Sequence, residues 1–503
     1  MKPQLNQATQ SCIRGTVTSR GRTGLVLTGL AAALVLVTGC DFLDPTSVEN
    51  PRTTAEDLAQ AREPTAALLP GLRAQFARAV GSNVVVTENV SDNYAIHGTG
   101  LNNQYDDPAN LIPAILNSTG TSTGVYWNVQ ELRALADFVL DDIIPGDATV
   151  TSEQRAEVLY YRGMALVIMG ENHSAAPMEV DGAPVPAAQL IQNGLASLEA
   201  SISASGTGPF ALPARAGMAR GQRLLGNAGA ATQAASQVLS ADPSFLFLQG
   251  YDDATIWNQP YIFLVYRALK EMQPLPRLDF LDPKYTMSTT GIPVAKAEEM
   301  HLILAEAALA AGNFAAGRGH VVDAIQTAKA RPIITFTDDD ARLNADLTPR
   351  PRSSSIQVRA DANSPYRSGL VLDRPGQAIQ FSPISGTSLD ADSIAAIPTT
   401  DEEALWHAFH LARQEILILE GRRMSDLGIR LPIMLREIDA NLNINDGDPG
   451  TRMIVPPYIP PQNEMDLFSP ASPYDDDENL VTTEITIMHD LNRILTQNRV
   501  TYF

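Results

Sequence analysis

Cysteine is almost absent from this sequence, because Cys12 and Cys40 are the two in 503 residues. Two cysteines allow one disulfide at most, so stability has to come from core packing rather than from covalent cross-links. Basic residues are also scarce, since 36 lysines and arginines stand against 57 acidic residues and give a formal net charge of −21. A chain this acidic repels phosphate backbones and anionic headgroups, which argues against nucleic acid and against direct electrostatic docking on a membrane.

The sequence motifs of common enzymes are missing as well. We find no Gly-x-Ser-x-Gly, Walker A, dinucleotide-binding or His-Glu-x-x-His pattern. His407 and His410 lie three residues apart on a predicted helix but have no third ligand beside them, so no metal site is predicted. We therefore predict a protein that is not an enzyme and has no catalytic residues. A hydrolase whose paired carboxylates meet in the fold is the less favoured alternative, because 57 acidic residues say nothing about pairing.

Residues 1–39 have the pattern of a lipoprotein signal peptide. A basic start without acidic residues leads into an apolar run over 25–37, which is shorter than a membrane span. Gly39 and Cys40 come shortly after this run. They match the small residue and the cysteine of a bacterial lipobox. We predict cleavage before Cys40, lipidation of its thiol, and a lipidated tether over 40–54. An ordinary signal peptide with an incidental cysteine, or a membrane anchor, is the alternative.

The rest of the chain, residues 55–503, is predicted to be a single domain that is mainly all-α. Apolar residues recur at helical spacing over 125–143, 151–170, 187–204 and 401–430, and Gly170 fits a helix stop. Residues 55–80 also read as helix, with prolines that should break or kink it. The Asn-, Asp- and Gly-rich residues 82–111 predict a long loop, and further irregular segments are predicted over 247–293, 331–400 and 441–479. Strand signals are few, namely the short runs 143–146 and 332–337.

Two stretches predict antiparallel helical hairpins. Residues 214–245 and 294–330 each consist of two alanine-rich helices separated by a Gly-Asn break. Small alanine side chains let two helices approach closely, and each stretch has about the size of a tetratricopeptide unit. Long insertions separate them, so we expect helical hairpins with irregular loops rather than a regular solenoid.

Aromatic residues beside amides suggest where a ligand could bind. Aromatic content is 6%, which shows no excess that would itself indicate carbohydrate. Trp257 lies in a predicted loop and is the best candidate among the tryptophans, whereas Trp127 lies on a predicted amphipathic helix and is expected in the core. The other tentative ligand-binding residues share the 82–111 loop: Asn93, Tyr94, His97 and Tyr105. A loop that bonds only to itself is the alternative for those four residues.

Acidic clusters raise the question of a bound cation. Residues 338–340, 443–450 and 474–480 contain runs of Asp and Glu, and calcium favours oxygen-rich loops. None has the EF-hand spacing, and solvated charge is the alternative explanation. We predict no cofactor, and the alternative is a structural calcium at one of these clusters.

Taken together, the segments resemble the SusD/RagB family of outer-membrane nutrient-uptake lipoproteins. The resemblance covers most of the mature chain and follows the family's order, from "CDFLDPTSVENP" at Cys40 through "VYWNVQELRALADFVLDDI" and "AEVLYYRGMALVIMGENHSAAP" to "KAEEMHLILAEAALAAGNFAAG". A late segment, "ARQEILILEGRRMSDLGIRLPI", is similar to the family's Glu-Gly-x-Arg-x-x-Asp-Leu motif, in which Met424 replaces a usual aromatic. The motif residues here are Glu420, Gly421, Arg423, Asp426 and Leu427. We interpret this motif as an element that holds the fold.

The resemblance implies a function without catalysis. A SusD-like protein would sit at the outer membrane on its lipid anchor, facing the cell surface. It would capture a nutrient, an oligosaccharide or a peptide, and deliver it to a SusC-like TonB-dependent transporter. The alternative is a lipid-anchored, tetratricopeptide-type scaffold for envelope protein assembly.

Overall fold

The structure is a computed structural model that describes residues 62–96, 103–265, 272–337, 353–354, 358–359, 378–461, 480–481, 485–486 and 490–503. These residues all fall within one compact unit, Leu58–Phe503. The signal peptide, the tether with Cys40, His97 and the acidic cluster at 338–340 lie outside the described residues. Of the acidic cluster at 474–480, Leu480 is described.

Helices dominate the described part of the chain, which confirms the mainly all-α prediction. The α-helices are α1 Pro64–Val90, α2 Val125–Phe138, α3 Ser152–Asn172, α4 Ala187–Ser205, α5 Ala211–Leu224, α6 Ala228–Ala241, α7 Ala297–Ala310, α8 Phe314–Lys329, α9 Ala391–Ala395, α10 Glu402–Ile416, α11 Arg423–Asp426, α12 Leu435–Ala440 and α13 Leu491–Gln497. A π-helical turn, Val139–Ile143, extends α2 to the end of the predicted helix.

The strands are short and form two-stranded pairs. They are β1 Tyr94–Ile96, β2 Ala175–Pro177, β3 Pro184–Pro186, β4 Leu246–Gln249, β5 Met272–Pro274, β6 Ile292–Lys296, β7 Ile334–Thr337, β8 Ser353–Ser354, β9 Val358–Arg359, β10 Ala378–Phe381, β11 Leu480–Val481 and β12 Ile485–Thr486. The pairs β1–β5, β2–β3, β4–β6 and β7–β10 are antiparallel, and β8–β11 and β9–β12 are parallel. Each pair is too small to form a sheet core, so the strands serve to tie loops to the helical body.

Helices that follow one another in the chain pack against one another, from α1 through α8. The two predicted hairpins, α5–α6 and α7–α8, are confirmed. Gly226 and Gly312 end the first helix of each hairpin with φ angles of +74° and +73°. The side chain of Asn313 then accepts a hydrogen bond from the Ala316 N–H and caps α8. This succession of paired helices is tetratricopeptide-like.

The closest helix contact joins α3 and α4, and glycines make it possible. A Cβ on Gly163 would lie 2.7 Å from Cγ of Leu198, and a Cβ on Gly194 would lie 2.8 Å from the Gly163 carbonyl oxygen. Gly170 is a third such position, because its Cβ would lie 2.7 Å from Ile191. The prediction that Gly170 stops the helix is wrong, since α3 continues to Asn172. This glycine serves packing and not helix termination.

The first helix differs most from the sequence prediction. Pro64 occupies its first turn, Pro70 lies inside it without ending it, and the helix continues to Val90, so residues 82–90 are not a loop. Val84, Val85 and Val86 are buried there. The polar residues that suggested a loop are buried with hydrogen-bond partners. Asn83 accepts from Asn172 Nδ2, and Glu88 accepts from Asn93 Nδ2.

Two other segments also differ from the prediction. The helix expected over 401–430 ends at Ile416, because Leu419 and Gly421 take φ angles of +58° and +73° that no helix allows. Residues 331–400 were expected to be irregular, but they contain strands β7 and β10 and helix α9. Of the two strand signals, 332–337 is confirmed by β7, whereas 143–146 forms a 3₁₀ turn, Ile144–Gly146.

The largest hydrophobic core contains residues of the four helices α1, α2, α3 and α4. It also contains the chain that follows Ile416, where Ile418, Leu427 and Ile433 are buried. A second cluster joins α7 and α8 to α10, and a third joins α5 and α6 to α7. Among the described helices, none is both long and apolar enough to cross a membrane.

Candidate functional site

Trp257 lies on the surface, in the loop that follows β4. Its side chain is 51% exposed, which is unusual for the largest aromatic residue. The indole Nε1 donates a hydrogen bond to the Asp253 carbonyl oxygen at 2.9 Å. The ring is therefore held in place while much of its surface stays open to solvent.

The loop around Trp257 is fixed at both ends by hydrogen bonds. The Asp252 carboxylate accepts from the Ala254 and Thr255 N–H groups at 2.8 and 2.5 Å, and these bonds lower the pKa of Asp252. On the other side of Trp257, the buried Asn258 accepts from the Tyr261 N–H at 2.8 Å and donates to the Thr290 carbonyl at 2.7 Å. Such bonds make the position of the ring a property of the folded chain rather than of a mobile loop.

Trp257 forms one wall of a cleft of about 410 Å³. The cleft is also lined by Arg78, Gly120, Thr121, Ser122, Ala254, Thr255, Ile256, Gln259 and Phe263. These residues come from α1, from the segment before α2 and from the loop after β4. Residues with hydroxyl, amide and guanidinium groups thus share the cleft with an exposed tryptophan.

A chain of hydrogen bonds positions the far wall of the cleft. Arg78 Nη1 donates to the Gln75 side chain at 3.2 Å, and Gln75 Nε2 donates to the Asn128 carbonyl at 2.9 Å. Asn128 Nδ2 in turn donates to the Thr121 carbonyl at 2.9 Å. The chain connects α1, α2 and the segment before α2, so the polar groups opposite Trp257 are preorganised.

The described lining of the cleft is mostly uncharged. Among the residues that line it, Arg78 is the one with an ionisable side chain. Among the described residues that line the cleft, none is a carboxylate, a histidine or a cysteine. An aromatic face beside hydroxyl, amide and guanidinium groups fits a polar ligand with apolar C–H faces.

Asn93 and Tyr94, two of the predicted ligand residues, are completely buried. Asn93 Nδ2 donates to Glu88 at 2.6 Å, and its Oδ1 accepts from Gln414 Nε2 at 3.0 Å. The Tyr94 hydroxyl donates to Asp282 at 3.1 Å. Burial raises the pKa of Glu88, and the hydrogen bond from Asn93 partly offsets this rise. In this conformation both residues connect elements of the interior, out of reach of a surface ligand.

Tyr105 is also buried, with 3% of its surface exposed, and burial raises its pKa to about 12. Of the predicted ligand residues that the structure describes, Trp257 is therefore the exposed one. Trp127, which was expected in the core, is 38% exposed on α2, and its Nε1 donates to Glu131 at 3.2 Å. It does not line the Trp257 cleft.

Sequence reasoning did not identify the residues opposite Trp257. Gln259 follows Trp257 closely and could have been included from its place in the loop. Arg78, Thr121 and Ser122 carry no local signal, because an arginine on a helix and hydroxyls in a polar segment are common on any surface. The fold alone brings them to the tryptophan.

The Glu-Gly-x-Arg motif lies in the interior and not at the cleft. Glu420 Oε1 accepts hydrogen bonds from the Nζ atoms of Lys284 and Lys296, both at 2.5 Å. Burial lowers the pKa of Lys284 to about 8, although Glu420 opposes this change. Gly421 N–H donates to Glu88 at 3.1 Å. The Glu420 carboxylate thereby connects three segments: the chain before β6, β6 itself and the turn after α10.

The arginines of the motif form two-pronged ion pairs. Arg422 contacts Glu299 at 2.8 and 3.1 Å, and Arg423 contacts Asp92 at 2.6 and 2.8 Å. Burial alone would raise the pKa of Glu299, but Arg422 lowers it to about 2. Paired and hydrogen-bonded charges are the form in which charge is tolerated in a protein interior.

Asp426 completes the motif. Its carboxylate accepts from Arg413 at 2.9 and 3.1 Å and lies 3.0 Å from Arg223. Burial opposes ionisation, yet the two arginines hold the pKa of Asp426 well below its usual range. The motif therefore ties α1, α5, α7 and α10 together, which agrees with its interpretation as an element that holds the fold.

Comparisons with known proteins give structural neighbours only. No family model and no curated protein matches the sequence. A SusD-like carbohydrate binding protein from Bacteroides vulgatus is similar, with 11% identity and a TM-score of 0.44, over 72% of this chain and 83% of that chain. A SusD superfamily protein from Bacteroides fragilis has 13% identity and a TM-score of 0.42, over 86% and 97% of the two chains. Another from Bacteroides thetaiotaomicron has 12% identity and a TM-score of 0.42, over 75% and 90%. These neighbours bear the SusD name, which is also the family that the sequence motifs resemble.

Proposed function

We propose that this chain is a non-catalytic, SusD-like lipoprotein that captures an oligosaccharide in the Trp257 cleft. The observation that carries the proposal is the exposed indole, held by its Nε1 bond and facing groups that bond hydroxyls. A sugar ring presents C–H faces that stack on an indole and hydroxyls that bond amides and guanidinium. A peptide is the second ligand class, because the same polar groups bond peptide N–H and C=O groups.

We further propose delivery of the ligand to a SusC-like TonB-dependent transporter at the outer membrane. The support for this step is the lipobox at Gly39–Cys40 and the order of the family-like motifs in the sequence. The negative charge of the chain disfavours binding to anionic lipid headgroups, so a lipid on Cys40 would supply the attachment.

The experiment that tests the binding role is a screen of the full chain against an array of neutral oligosaccharides, followed by calorimetry. We expect Trp257→Ala to weaken the best ligand about tenfold. The indole exposes 51% of its surface. That fraction is about 120 Å² of a large aromatic side chain, and one stacked face covers about half of it. At ~25 cal/mol per Å² this contact contributes about 1.5 kcal/mol.

Trp127→Ala is the matched control, because Trp127 is also exposed and hydrogen-bonded through Nε1 but lies outside the cleft. We expect its affinity to equal that of the unmodified chain. Equal affinities of the two variants would refute the cleft as the binding site. Failure of every oligosaccharide to bind would refute the oligosaccharide proposal and leave peptides as the class to screen.

A further inference from the structure

The α7–α8 hairpin carries two histidines and an aspartate on one of its faces. His301 belongs to α7, and His320 and Asp323 belong to α8. Each offers one ligand atom, and the three atoms lie within 4.8 Å of one another. Asp323 Oδ2 is 3.9 Å from His301 Nδ1 and 3.7 Å from His320 Nδ1. This group is remote in sequence from the residues of the Trp257 cleft.

The two imidazole nitrogens that face Asp323 have no hydrogen-bond partner. Both Nδ1 atoms are buried, and neither makes a hydrogen bond in the described part of the chain. Buried polar atoms in folded proteins nearly always have a partner, so two orphaned nitrogens directed at the same carboxylate require an explanation. A shared ligand between them provides one.

We propose that His301, His320 and Asp323 bind one divalent transition-metal ion of the Zn²⁺ type. Zinc binds imidazole nitrogen and carboxylate oxygen at about 2.0–2.2 Å, so neighbouring ligand atoms of a tetrahedral site lie about 3.3–3.5 Å apart. The separations from Asp323 Oδ2, 3.9 and 3.7 Å, are slightly wider, and the two nitrogens lie within 4.8 Å of each other. Side-chain rotations of about 1 Å at each ligand atom would bring the three to bonding distance.

The hairpin backbone holds the three residues in position. His320 and Asp323 are three residues apart on α8 and therefore share a face of the helix. His301 is placed opposite them because α7 and α8 pack through buried side chains, including Leu302, Val321 and Ala324. A metal site on two packed helices needs only side-chain adjustment, which keeps the cost of ordering low.

The ligand set decides which ions fit. Two imidazoles favour zinc and the neighbouring first-row metals, whereas calcium and magnesium require oxygen ligands. The Asp323 side chain is 50% exposed, so an ion can enter from solvent and a water can complete its coordination. The formal charge of −21 attracts cations to the surface in general. Neither histidine was identified from sequence, because they belong to different helices.

The test is a calorimetric titration of the full chain, free of any histidine tag, with ZnCl₂. We expect one Zn²⁺ per chain, and we expect His320→Ala and Asp323→Asn each to weaken binding at least tenfold. Alanine has a higher helix propensity than histidine, so His320→Ala should leave α8 intact. Circular dichroism and thermal unfolding without metal establish that both variants are folded.

His407→Ala is the matched control. His407 also contacts a single carboxylate, Asp490 at 3.2 Å, but it belongs to no group of three ligands in the described residues. We expect its zinc affinity to match that of the unmodified chain. Titration with Co²⁺ should give visible absorption from a tetrahedral site, and His320→Ala should abolish it. Absence of stoichiometric zinc binding, or equal binding by His320→Ala, Asp323→Asn and the unmodified chain, would overturn the proposal.

Discussion

Replacing Glu299 with glutamine tests whether the buried ion pairs of the Glu-Gly-x-Arg motif hold the fold. Glu299 is 2% exposed, and both of its oxygens accept hydrogen bonds from Arg422. Glutamine keeps the shape of the side chain but removes its charge. Arg422 would then remain buried, bonded to the Glu420 and Val294 carbonyls but without its anionic partner.

The magnitude follows from the pKa of Glu299. Its value of about 2, compared with the ordinary 4.5, means that the folded state favours the ionised carboxylate. At ~1.4 kcal/mol per pH unit, the difference contributes about 3 kcal/mol to the free energy of unfolding. Removal of one partner from a buried pair costs about 3–5 kcal/mol in other proteins, which is the same range.

The stabilisation by Glu299 should become smaller as the pH falls. Because the pKa of Glu299 is lower in the folded state, its contribution is complete above pH 4.5 and is lost as the pH falls towards 2. At pH 3 the difference in unfolding free energy between the unmodified chain and Glu299→Gln should therefore be about 2 kcal/mol smaller than at pH 7.

The assay is equilibrium denaturant unfolding followed by circular dichroism at pH 7 and pH 3. Glu199→Gln, an exposed position on α4, is the control and should change the free energy of unfolding by less than about 0.5 kcal/mol. A loss below about 1 kcal/mol for Glu299→Gln at pH 7, or a loss that is unchanged at pH 3, would refute the reasoning.

Two further predictions concern the backbone. Gly421→Ala should lower the free energy of unfolding by about 2–4 kcal/mol, because φ is +73° and a Cβ would collide with the Asn83 side chain. Gly71→Ala, in a helix with free space around it, is the control for thermal unfolding and should stabilise the protein slightly. Thr151→Ala should cost about 1 kcal/mol by removing the capping box with Gln154. Thr151→Ser keeps the hydroxyl, so a loss as large as that of Thr151→Ala would contradict the capping argument.

The helical hairpins could be predicted from sequence because their signals are local. Apolar and alanine residues recur at helical spacing, and a Gly-Asn pair marks each turn. The end of α1 could not be predicted, because its polar residues find partners from distant parts of the chain. Asn83 bonds Asn172, and Glu88 bonds Asn93 and the Gly421 N–H. Their local sequence predicts that these polar residues are exposed to solvent. In the fold they are buried, and distant parts of the chain supply their hydrogen-bond partners.

In the candidate site, too, some residues could be predicted from the local sequence and others could not. Trp257 could be chosen from sequence because turn-forming residues surround it. A large aromatic side chain in a turn is less often buried in the core than one on a helix. Asn93 and Tyr94 have similar local surroundings but are buried in the structure. The difference between them lies in tertiary packing, which composition does not encode.

The ion pairs of the Glu-Gly-x-Arg motif also constrain the order in which the chain can fold. Asp92 and Arg423 are 331 residues apart, and Glu299 and Arg422 are 123 residues apart. Asp92, which follows α1, and Glu299, on α7, therefore have two-pronged arginine partners that leave the ribosome much later. Until then those carboxylates lack their two-pronged pairs, so burying them is costly. Completion of the core has to wait for the late turn, so a chain truncated before α10 should fail to form a stable core.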